Sequence, residues 1–111
     1  MATRVANKRM QFTDVFQNVI VYSDSVFDPA NAATGSGTFS ATDITVTGAA
    51  LGDVVLVSFN LDATDAVVTA AVTAANTVTV VVLNNTAGAV NLAAGKLILY
   101  VLQPNYQHVV V

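Results

Sequence analysis

The chain has 111 residues, 54% of them hydrophobic and 10% charged, with a formal net charge of −3 and neither cysteine nor tryptophan. This length gives one domain with a single core, and the high hydrophobicity excludes a disordered chain. The missing cysteines exclude disulfides and thiolate metal sites.

Residues 1–13 lack apolar periodicity and hold Arg4, Lys8 and Arg9, three of the four cations. They read as an extended basic arm, with the β-domain at 14–111. Residues 14–22 (DVFQNVIVY) predict a first strand, and 23–37, with Asp28-Pro29 and Gly35-Ser36-Gly37, predict the longest loop. Residues 42–47 alternate, with Ile44 and Val46 on one face. Residues 48–53 are a turn, and 54–59 (VVLVSF) read as a strand covered on both faces. Residues 66–73 place Val68, Ala70 and Val72 on one face, and 76–83 do the same with Val78, Val80 and Val82. Alanine-rich 70–75 is too short, and too mixed with Val and Thr, for a helix. After turn residues near 84–88, residues 96–102 (KLILYVL) form a last strand, apolar on both faces and ended by Pro104. The two fully apolar strands are expected at the centre. Gly52-Asp53 and Gly95-Lys96 precede them in the same way, and their opposite charges could pair if the strands are neighbours. Six or seven short strands predict an all-β fold: a small antiparallel β-sandwich or jelly-roll-like barrel with an extended N-terminal arm and a short C-terminal tail.

Charge placement says more than net charge. All seven acids are Asp between positions 14 and 65, and from 66 to 111 the one formal charge is Lys96. Water-facing strand positions normally carry Lys, Glu or Asp, which discourage edge-to-edge association. Here they are Thr, Asn, Ala and Val, which implies β surface buried against something larger. The arm suits an anchor on an acidic protein surface, with Arg4, Lys8, Arg9 and Phe12 as contacts. Three cations beside one aromatic are a thin basis for nucleic-acid binding.

No reacting constellation emerges, and an enzyme is not expected. His108 is the one histidine, too few nitrogens for a zinc site and close to the chain end for the base of a triad. Asp24, Asp28, Asp62 and Asp65 flank loops without the dense oxygen pattern calcium requires. No cofactor or metal is expected. Gly35-Ser36-Gly37 lacks the third glycine of a dinucleotide fingerprint, and Asn84-Asn85-Thr86 matches a glycosylation sequon without any sign of secretion. Apolar runs are too short for a spanning helix, and the strands too short and poor in aromatics for a membrane barrel.

The stretch Val46-Thr47-Gly48-Ala49-Ala50-Leu51-Gly52-Asp53-Val54-Val55-Leu56-Val57, then Ala74-Ala75-Asn76-Thr77-Val78-Thr79-Val80, then the turn Asn84-Asn85-Thr86-Ala87-Gly88 resembles small structural proteins of tailed bacteriophages. The likeness covers residues 37–102. It implies a non-enzymatic virion protein on the capsid surface: a decoration or cement protein, homo-oligomeric and favoured as a trimer, clamped onto the major capsid protein or neighbouring virion proteins. The alternative is a tail or fibre module that binds a receptor or glycan. Contacts are expected at the arm residues, at strand 76–83, and at Tyr106, Val109, Val110 and Val111 in the tail. Neither membrane nor nucleic acid is an expected partner.

Overall fold

The computed structural model describes residues 15–33, 35, 37–60, 66–89 and 91–104. Six strands run in chain order: β1 (Phe16–Phe27), β2 (Phe39–Thr45), β3 (Val54–Phe59), β4 (Ala66–Ala74), β5 (Thr77–Asn84) and β6 (Gly95–Pro104). They form two three-stranded antiparallel sheets, one in the order β1-β6-β3 and the other β2-β5-β4. The all-β expectation holds, but the expected β-sandwich or jelly-roll-like barrel needs correction. Neither small sheet closes into a barrel or curls strongly. A closed barrel or jelly roll takes about eight strands, and among the described residues three per sheet leave edges at β1, β3, β2 and β4. The expected arm and tail lie outside the described residues.

Alternation drives the packing. Ile44, Val72, Val78 and Val80 from the second sheet, with Val46 just past β2, share one buried cluster with Leu97, Leu99 and Val101 of β6. Phe27 closes it, its ring edge-on to Phe59 at 6.3 Å between centroids. The faces read for β2, β4 and β5 are therefore the faces that turn inward.

β1 runs five residues past its expected end at Tyr22. Ser23 and Asp24 stay paired with β6, and a break in the pairing between Asp24 and Phe27 absorbs Ser25 and Val26, as a bulge does. There the Asp24 carboxylate accepts the Val26 N–H at 3.0 Å. Phe27 is thereby returned to the core.

The Gly48–Asp53 turn, which carries much of the sequence resemblance, forms one end of the molecule. Gly48 and Gly52 have φ of 97° and 96°, and Asn76 in the β4–β5 turn has φ of 60°, conformations that glycine and asparagine tolerate best. Asn76 is tied across to the other turn: its N–H donates to the Ala49 carbonyl at 2.8 Å, its own carbonyl accepts the Val46 N–H at 2.9 Å, and its Oδ1 accepts the Gly48 N–H at 2.8 Å. Asp53 Oδ2 accepts the Ala50 N–H at 2.9 Å. Gln103 Nε2 donates to that same oxygen and to the Gly48 carbonyl, each at 3.0 Å. The motif thus fastens three chain segments of both sheets together.

Candidate docking surface

β6 occupies the centre of its sheet, as expected, but β3 lies at an edge. More consequentially, the described residues cover only one face of these strands. Val55, Val57 and Phe59 pack against the core, while Val54 and Leu56 stand 42% and 53% exposed. The register aligns the outward residues in rows across the sheet: Val19–Leu102–Val54, then Val21–Tyr100–Leu56, then Ser23–Ile98–Ser58. Val19, Val21 and Tyr100 are also exposed. The first two rows hold six apolar side chains and no polar one apart from the tyrosine hydroxyl. Lys96 is the first charge along the outward side of β6, beyond the serine row.

The second sheet has a smaller apolar row, Phe39–Leu83–Val67, all exposed. Beyond it the face turns polar. Thr79 Oγ1 donates to the Asp43 carboxylate at 2.7 Å and shares a 2.8 Å hydrogen bond with Thr73. This is the surface on which sequence placed an oligomer contact, strand 76–83. The structure divides that strand, since Val78, Val80 and Val82 are buried and only Thr77, Thr79, Val81 and Leu83 point away from the core.

The other expected contacts, Arg4, Lys8, Arg9, Phe12, Tyr106, Val109, Val110 and Val111, lie outside the described residues, as do His108, Asp62 and Asp65. Asp53 and Lys96 do not form the suggested pair. β3 and β6 are neighbours but antiparallel, so Val54 faces Leu102 and Phe59 faces Leu97. Asp53 meets Gln103 at one end, and Lys96 is backbone-paired with Asn60 at the other.

Asn84 read from sequence as a turn residue and as a sequon position. It is fully buried, its Nδ2 donates to the carbonyls of Ala33 and Gly88 at 2.8 and 2.6 Å, and its Oδ1 accepts from the Thr86 N–H and hydroxyl, both at 2.8 Å. It organises two loops and leaves no nitrogen available for a glycan. Among the described residues, no group of three or more His, Cys, Asp or Glu side chains gathers as a metal site, and no helix is long and apolar enough to cross a membrane. No protein-family model, curated protein or solved structure matches the chain.

Proposed function

We propose that this chain is a non-catalytic structural subunit that works by being built into a larger assembly. The observation that carries the reading is the apolar outward face of the β1-β6-β3 sheet. Soluble monomers rarely keep contiguous apolar patches of several hundred Å² without using them, and here two adjacent rows run the full width of a sheet. The sequence resemblance supplies the context of the proposal: a cement or decoration protein bound to an assembled bacteriophage head. Self-association and shell contacts would act together, each strengthened by the high local concentration the others create. Binding only the assembled lattice would stabilise it by mass action. A glycan-binding tail module fits less well, because exposed Phe39 and Tyr100 lie on different sheets and form no aromatic platform.

The test adds purified protein to bacteriophage heads that lack their decoration protein, built from a coat protein sought in the genome that encodes this chain. Saturable occupancy and increased resistance of the heads to heat are expected. Absence of binding to such heads, with retained binding to a host-cell surface, would overturn the head assignment in favour of the tail module.

A further inference from the structure

We infer that the outward face of the β1-β6-β3 sheet is covered by the same face of a second copy, the two stacked with strands antiparallel about a twofold axis near Tyr100. This rests on the assembly-subunit reading and names the partner of its main surface. The first argument is chemical self-match. A twofold contact sets a patch against itself, so any charge near its centre would meet its own like. The rows Val19–Leu102–Val54, Val21–Tyr100–Leu56 and Ser23–Ile98–Ser58 hold no charge. Tyr100 sits in the middle strand and the middle of these rows, where a tyrosine contributes most to an interface.

The second argument is area. The fractional exposures of Val19, Val21, Val54, Leu56 and Tyr100, with partial contributions from Leu102 and Ile98, amount to about 500 Å² per copy, so a pair buries about 1,000 Å², the size at which specific interfaces begin.

The third argument is charge placement at the ends. Lys96 is the outward charge of β6, beyond the serine row, whereas Asp53 lies on the core side with its carboxylate bonded to Gln103 and the Ala50 N–H. Stacking the sheets with strands reversed about Tyr100 sets the two Lys96 side chains at opposite ends of the pair. Stacking with strands parallel would put Lys96 over Lys96. Such rim charges contribute little affinity but select orientation. A twofold face-to-face contact closes with two copies, in place of the threefold ring expected from sequence, and leaves the Phe39–Leu83–Val67 row facing outward.

The native chain has no cysteine, so single cysteines report proximity cleanly. Stacked sheets lie about 10 Å apart, too far for a disulfide but within reach of a short bismaleimide linker. The full-length V21C variant, a nearly volume-conserving change at an exposed position in the row of the axis, is expected to cross-link predominantly to a covalent dimer, and L83C, on the other sheet, is not. Leu56→Asp, an exposed position, should give a folded monomer by sedimentation and circular dichroism. Dimer cross-linking through L83C and not V21C, with self-association intact, would overturn this face assignment while leaving the assembly-subunit reading standing. A monomeric native chain at micromolar concentration that still occupies decoration-free heads would overturn the pair alone. A monomeric native chain that occupies no assembly would overturn both.

Discussion

Removing the Asn84 side chain tests whether the buried hydrogen-bond hub is structural. Asn84→Ala deletes four hydrogen bonds at once, two to the carbonyls of Ala33 and Gly88 and two from Thr86. Neutral hydrogen bonds contribute about 1 kcal/mol each, and a buried partner left unsatisfied costs about 1–3 kcal/mol. Ala33 and Gly88 are themselves exposed residues, so water recovers part of the loss, and the expected cost is about 2–3 kcal/mol. For a domain of this size that is a drop in Tm of about 10–20 °C. Asn84→Asp should cost at least as much, because an ionised carboxylate has no donor for either carbonyl. Asn85→Ala, at an exposed neighbour, should stay within about 0.5 kcal/mol of the native chain. The assay is urea unfolding at one fixed protein concentration, since self-association makes apparent stability depend on concentration. A loss below about 1 kcal/mol for Asn84→Ala would refute the reasoning.

Gly48→Ala should lower the urea midpoint by an amount worth about 1–3 kcal/mol, because φ is +97° and the new Cβ would lie 3.2 Å from Ile20 Cδ1. Gly37→Ala, at φ +90° with open space around it, should cost less; equal costs would show that the Ile20 contact is immaterial. Leu99→Ala, at a fully buried position in the central strand, should cost about 2–5 kcal/mol in the same assay. The melting temperature should not change in EDTA or reducing agent, and a large drop in EDTA would point to metal binding by the aspartates, Asp62 and Asp65 first. Deleting residues 1–13 should leave the two sheets folded by circular dichroism but lower occupancy on heads, with native occupancy falling as salt rises. Equal occupancy by both proteins at low and high salt would exclude the arm as an anchor.

Much of the strand content was legible because apolar period-two patterns survive wherever one face meets the core. Val78, Val80 and Val82 read as a face and are one. The end of β1 was not legible, because Ser23-Asp24-Ser25 has loop composition and only the pairing with β6, regular to Asp24 and bulged before Phe27, keeps it in the sheet. Sheet partnership was not legible either: pattern shows which side of a strand is apolar, not how many strands lie beside it. Residues 54–59 therefore suggested a central strand covered on both faces, where β3 is an edge strand with Val54 and Leu56 uncovered. That mismatch located the docking surface. The same two apolar faces that predicted burial are present, and the described residues bury one. Asn84 escaped notice because a buried asparagine and a turn asparagine look alike in sequence; the nearby Thr86 and Gly88 were the available signal.

The most direct measurement of the central claim is sedimentation velocity of the native full-length chain over a micromolar concentration series, beside the Leu56→Asp variant. The account predicts a defined oligomer for the native chain that dissociates on dilution, and a folded monomer for the variant. A native chain that sediments as a clean, soluble monomer throughout, indistinguishable from the variant, would contradict it.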